Sequence, residues 1–359
     1  MPQPSRTTTL SALPRPFHML LFFGGGLWIV AAQGLATRAA TGLTVRFNLS
    51  SFYDLFKQSF FLFLLLIGFA TVRWIATRSS VPDAYSRGNG LRNVNALPSR
   101  PTTREEFLRG LAIGWGMVIA AVLPMMFFGA LHPEFSFSFS NFGYALLSIL
   151  VAAIATLALE VAFRGFIFAE FIAATGPTFA TLFLSLLYAT LASFSPNATL
   201  LSILDAFLFG VLFSIAYLRT RALWVGWGIH FAWAAFASIL FGLPIAGDAG
   251  YTNLIFTSVS GPQWLTGGPY GPEAAFFTAI VLLIAILVLL RATRHYAWEY
   301  AYTAPTPAGY PMEVAPPPAH TAMETASATT PQPLIQILNT TPTAPSTNPE
   351  IEDHLNRNS

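Results

Sequence analysis

Long apolar runs separated by short polar stretches dominate this chain. Eight of them approach the roughly 20 residues that a helix needs to cross hydrocarbon: 17–36, 60–76, 107–131, 142–171, 177–193, 198–218, 223–244 and 274–290. The pattern predicts an all-α fold, a polytopic transmembrane helix bundle of about eight spans. The fourth run is long enough to tilt or protrude beyond the hydrocarbon. The first follows Arg6 and Arg15 as a signal peptide would. Its apolar run exceeds the h-region of a cleaved leader, so an uncleaved helix is expected.

The polar stretches divide the chain into a two-span segment (1–76), a Ser-, Pro-, Asn- and Arg-rich linker (77–106), a core (107–245), an outer loop with the last span (246–302) and a tail (303–359). The tail is rich in Pro, Thr and Ala and is expected to be disordered. Arginines set the orientation. Arg78, Arg87, Arg92, Arg100 and Arg104 crowd the linker, Arg219 and Arg221 separate the sixth and seventh spans, and Arg291 and Arg294 follow the eighth. The loops around 132–141, 195–197 and 246–273 contain no Lys or Arg. Positive residues remain on the cytoplasmic side, which predicts a multi-pass cell-membrane protein with both termini in the cytoplasm. Arg38, Arg46 and Lys57 run mildly against this order. In the loop 246–273, Tyr251, Trp264 and Tyr270 are expected to act as interfacial anchors.

Composition agrees with this picture and narrows the chemistry. The chain is 54% hydrophobic and 9% charged, against about 25% charged in soluble domains. Its partner is the lipid bilayer. A net charge of +2, with basic residues placed between spans, does not indicate nucleic-acid binding. The absence of cysteine excludes disulfides, thiolate metal sites and a cysteine nucleophile. No HExxH, GxSxG, P-loop or GxGxxG pattern occurs, so zincin, hydrolase-elbow and nucleotide-binding readings lack support.

Few ionisable residues lie deep in the runs: Glu160, Arg164 and Glu170 in the fourth, Asp205 in the sixth and His230 in the seventh. His18, Arg73 and Arg109 lie nearer span ends, where a polar head is expected to reach water. Glu160 and Arg164 are four residues apart and share one helix face. Such groups in hydrocarbon face a cavity or one another and are functional candidates by default; a structural ion pair is the competing reading. His230 lies about two turns into its span, and Glu160 approaches the same leaflet from the opposite direction. A carboxylate and an imidazole at one depth can activate water, or they can join helices as polar packing. Asp205 is a candidate partner for Arg164 or His230, or part of a proton path.

Two stretches carry a family resemblance: Glu160-x-x-Phe163-Arg164-Gly165, and the run from Phe209-Gly210 through Tyr217-Leu218-Arg219-Thr220 and Leu223-Trp224 to His230. Over about residues 105–245 the chain resembles the CPBP family of intramembrane metalloproteases. That family includes the CAAX-processing type II prenyl endopeptidases and bacteriocin-immunity or lysostaphin-resistance-like proteins. The resemblance implies an all-helical CAAX-protease-like core with three motifs. The first, Glu-Glu-x-x-x-Arg, falls on Leu159, Glu160 and Arg164. The second, Phe-x-x-x-His, falls on Tyr188 and Ala192. The third, His-x-x-x-Asn, falls on His230 and Ala234. In the family, the first Glu and the second-motif His are implied to activate water, and the third-motif pair to stabilise the oxyanion or help to hold a metal. Leu159, Ala192 and Ala234 replace three of these groups. A divalent metal is implied by resemblance alone, and the sequence offers it one deep histidine and a few carboxylates.

Two functional readings follow. One is a pseudoprotease that binds membrane-associated peptide or protein clients without cutting them. Its Glu160–Arg164 pair would be structural, with His230 and Asp205 lining a cavity. The other is an active endopeptidase with Glu160 as base, His230 as electrophile or ligand and Asp205 as a substitute. Losing members of a catalytic constellation typically costs orders of magnitude in rate, which favours the first reading.

Overall fold

Every apolar run forms helix over most of its length. The computed structural model describes residues 14–78, 91–128, 131–135, 139–248, 250 and 254–294, all within one compact unit, Met1–Tyr302. The tail and Tyr251 lie outside the described residues. Helices α1 (Arg15–Phe47) and α2 (Tyr53–Arg78) form the first hairpin, followed by the short α3 (Leu91–Val94) and then α4 (Thr103–Phe127). The core continues with α5 (Phe139–Arg164), α6 (Phe166–Thr175), α7 (Pro177–Ala192), α8 (Leu200–Thr220) and α9 (Trp224–Ala234), which runs on into a π-helical turn at Ala235–Leu240. A short α10 (Gln263–Thr266) precedes α11 (Phe276–Ala292). Five helices are long and apolar enough to span a membrane: Arg15–Phe47, Ser50–Ala76, Thr103–Phe127, Asn141–Thr175 and Leu200–Thr220. The apolar helices Pro177–Ala192, Trp224–Leu240 and Phe276–Ala292 are shorter, so a count of eight spans depends on those three.

The bundle is apolar outside as well as inside. Leu27, Phe63, Leu186 and Leu287 are at least 58% exposed, the surface expected of helices whose solvent is lipid. Inside, one apolar cluster joins α1 and α2 to α5 and α6 through Phe22, Phe69, Val161 and Phe166. A second joins α4, α8, α9 and α11 through Val118, Phe213, Ile229 and Leu282.

Close approach of α4 and α9 depends on glycine. A methyl group on Gly110 would lie 2.2 Å from the Val225 carbonyl oxygen, and one on Gly114 would lie 2.5 Å from that of Ile229. On the α9 side, one on Gly228 would meet the Phe107 carbonyl oxygen at 2.4 Å. Small residues let membrane helices pack backbone to backbone where no hydrophobic force drives them together.

The structure departs from the sequence pattern in four places. The third run stops short of Leu131, which begins a strand (β1, Leu131–Phe135) paired antiparallel with β2 (Ile255–Val259). The all-helical expectation therefore gains a two-stranded ribbon between two Arg-free loops. The fourth run is broken at Gly165, whose ψ of −123° separates α5 from α6. The described half of the linker is packed rather than loose. Asn95 is buried and donates to the Leu66 and Leu91 carbonyls, Leu223 N–H donates to the Ala96 carbonyl, and Arg100 donates to the Thr220 carbonyl. Finally, Tyr270 is 2% exposed and is a core residue rather than an interfacial anchor, whereas Trp264 remains exposed.

These contacts predict opposite outcomes for two glycines on one helix. Gly114→Ala forces α4 away from α9 and should cost about 1–3 kcal/mol in detergent unfolding experiments. Gly116→Ala, with nothing within 4 Å of the added methyl group, should be neutral or stabilising by up to about 1 kcal/mol.

Candidate functional site

The break at Gly165 places Arg164 in the last turn of α5, where a cation suits the helix dipole. Glu160, one turn earlier, points the same way. Both are fully buried, with the Arg164 Nη1 3.7 Å from Glu160 Oε1. The same Oε1 lies 2.8 Å from His230 Nδ1 on α9, so the two residues expected at similar depth are in contact. The other carboxylate oxygen faces Gly226, where an added methyl group would come within 3.3 Å. Aromatic rings enclose the cation: the guanidinium carbon lies 4.9 Å from the Tyr188 ring, 5.2 Å from Phe213 and 5.5 Å from Phe163. Phe213 also stacks on His230, with centroids 4.7 Å apart and planes 19° apart. Four helices thus close around one acid–base pair.

Below His230 is a small cavity of about 40 Å³, lined by Tyr188, Ala192, Ser202, His230, Tyr270 and Glu273 among others. Glu160 does not line it. With Nδ1 engaged by Glu160, the imidazole turns Nε2 away from that contact. This pairing fixes a tautomer and an orientation for the ring. Capping of α8 orders the opposite wall, where Thr199 and Ser202 exchange reciprocal backbone–side-chain bonds of 2.8 and 3.1 Å.

Glu273 is the residue that sequence reasoning missed. It enters from the loop preceding α11. Trp233 Nε1 donates to one of its oxygens and the Ala246 N–H to the other, each at 2.8 Å. Gly271 makes this entry possible: its φ is +105°, and a methyl group there would lie 1.9 Å from the Pro244 carbonyl oxygen. Burial pushes the Glu273 carboxyl above the usual carboxylate range, partly offset by Trp233, His230 and the Ala246 N–H. Burial likewise pushes the Tyr270 hydroxyl up to about 12. One signal was available in the sequence: Glu273 is the only charged residue between Gly250 and Leu290.

The other ionisable residues fall elsewhere. Asp205 is fully buried on α8, with no hydrogen-bond partner on either carboxylate oxygen, and it pairs with neither Arg164 nor His230. Glu170 forms a separate cluster, 2.6 Å from both His18 Nδ1 and Arg73 Nη1. The two span-end residues therefore turn inward to an acid instead of reaching water. Among the described residues, no group of three or more histidines and carboxylates is arranged to hold a metal. The second- and third-motif positions, Ala192 and Ala234, supply no donor, and His230 Nδ1 is already engaged. The donor set does not fit the divalent metal that the resemblance implies.

Removing Glu160 should leave a guanidinium buried without its counter-charge. Glu160→Ala is expected to cost about 3–5 kcal/mol in detergent unfolding, and Glu160→Gln, which keeps an acceptor for His230, substantially less.

Residues 141–236 match the family model described as type II CAAX prenyl endopeptidase Rce1-like. No curated protein and no solved structure matches the chain. The matched segment runs from α5 to the π-helical turn after α9, and it contains the Glu160–Arg164–His230 cluster and most of the cavity wall. Over this segment the chain is similar to the type II CAAX prenyl endopeptidases, and its long apolar helices fit a membrane protein.

Proposed function

We propose that this protein binds membrane-associated peptides or proteins at the site of a CAAX-type endopeptidase and does not cut them. The observation that carries the reading is the separation of the retained carboxylate from the cavity. Glu160 is held by Arg164 and His230 inside the helix packing, whereas the cavity wall has Ala192 at the position where the family resemblance calls for a histidine. Leu159 and Ala234 replace the other two groups. What remains is a small polar cavity in an apolar bundle, with room for the tip of one client side chain held by hydrogen bonds.

The protein sits in the cell membrane as a multi-pass protein with both termini in the cytoplasm. In support, the Arg-rich helix ends are tied together on one side: Arg100 donates to the Thr220 carbonyl, Arg219 to that of Leu290 and Arg109 to that of Ala292.

A second reading has one observation in its favour. Glu273 and His230 line a cavity with room for water, so a rebuilt endopeptidase would use Glu273 as base rather than Glu160 or Asp205. One experiment separates the two. Purified protein is incubated with membrane-anchored and prenylated peptides, alongside Glu160→Ala, His230→Ala and Glu273→Gln variants. Stable capture without product is expected. Product formation by the wild type that any of the three substitutions abolishes would sink the binding-only reading, and loss through Glu273→Gln would identify the base.

A further inference from the structure

Helix α4 presents two different faces of small residues. Gly110 and Gly114 are buried against α9. Ala112, Gly116 and Ala120, spaced by four and so on one stripe, are all exposed. This second stripe forms one wall of an apolar groove of about 410 Å³, and Val281, Ile284 and Val288 of α11 form the other. Nothing lies within 4 Å of a methyl group built on Gly116, so the groove is open where α4 is narrowest. From Ala112 to Ala120 it runs about 12 Å along the helix.

At its Arg-rich end the groove meets a second concavity of about 460 Å³. Ala112 is common to both, and the second holds Arg104, Glu105 and Arg109. Arg109 pairs with Glu105 and donates to the Ala292 carbonyl at the end of α11. The exposed Arg291 and Arg294 flank that carbonyl. Glu106 does not offset this charge: it is fully buried, accepts from Thr102 and lies 3.8 Å from Arg100. The mouth therefore carries the guanidiniums of Arg104 and Arg109 against the carboxylate of Glu105, at the end of a slot of lipid-like polarity.

From this juxtaposition we propose that the α4–α11 groove is a binding site for a phospholipid with an anionic headgroup. One acyl chain lies along Ala112, Gly116 and Ala120, and the phosphate is held by Arg104 and Arg109. Guanidinium groups match phosphate oxygens in a two-pronged geometry, and basic pockets between membrane helices favour anionic headgroups. The site lies on a different face of α4 from the one packed on α9, and it is independent of whether the protein cleaves peptides.

The test uses the full-length protein, delipidated in a neutral detergent and titrated with phosphatidylglycerol or phosphatidylcholine under native mass spectrometry. Phosphatidylglycerol should bind about tenfold tighter, the order expected of one or two cations beside an anionic headgroup. The Arg104→Gln/Arg109→Gln double variant should erase that preference. Gly116→Leu, which fills the groove, should weaken phosphatidylglycerol binding while helicity and monodispersity stay unchanged. If the double variant does not fold, Arg104→Gln alone should reduce the preference several-fold. Equal affinity for the two lipids, a preference that survives the arginine substitutions, or binding indifferent to Gly116→Leu would overturn the proposal. So would soluble glycerol phosphate competing as well as the whole lipid, or a prenylated peptide displacing the lipid with no dependence on Arg104 and Arg109.

Discussion

A carboxylate and a guanidinium buried together in an apolar bundle constrain everything packed around them. Neither can be left without compensation in a medium of low polarity, and a pair alone rarely recovers the cost of removing both from water. Here compensation comes from four helices. Helix α5 supplies Glu160 and Arg164, α9 supplies His230, α7 supplies the Tyr188 ring and α8 supplies Phe213, which faces both the guanidinium and the imidazole. Displacing any of these elements exposes a charge to hydrocarbon. The cluster thus fixes the relative positions of the helices that wall the cavity.

If the protein binds without cutting, as proposed, this arrangement accounts for a protease-like frame that persists without three of the motif groups. Leu159, Ala192 and Ala234, which stand where the resemblance calls for a glutamate, a histidine and an asparagine, take no part in the Glu160–Arg164 pairing. His230 is different, since its imidazole contacts Glu160 directly. The cavity keeps polar character from another source: Glu273, anchored by Trp233 and the Ala246 N–H. A second buried acid, Glu170, ties α1 and α2 to α6 through His18 and Arg73. The N-terminal hairpin is therefore held to the core by charge as well as by the Phe69–Phe166 contact.

Small residues on α4 serve two purposes that composition does not separate. On one face they admit the backbone of α9 to within contact distance of their own. On another they leave a slot beside α11 that opens under the Arg-rich helix ends. The same stretch thus provides both close helix packing and an open groove, according to which neighbour each stripe faces.

The apolar runs made the helical architecture legible from the sequence, because span length and the exclusion of charge from hydrocarbon are one-dimensional constraints. The spacing of Glu160 and Arg164 and the depth of His230 also made the acid–base cluster legible. The tertiary structure decided what depends on contacts distant in the chain. The β1–β2 ribbon joins loops more than a hundred residues apart. Gly165 interrupts a run whose hydropathy is continuous. His18 and Arg73 turn inward because Glu170 is there to meet them, and Tyr270 is buried because its loop folds back on the bundle. Glu273 reaches the cavity only through the left-handed backbone at Gly271, and Asp205 is left apart from both proposed partners. Hydropathy records what each segment can bury, but which charges meet is settled only when the helices pack.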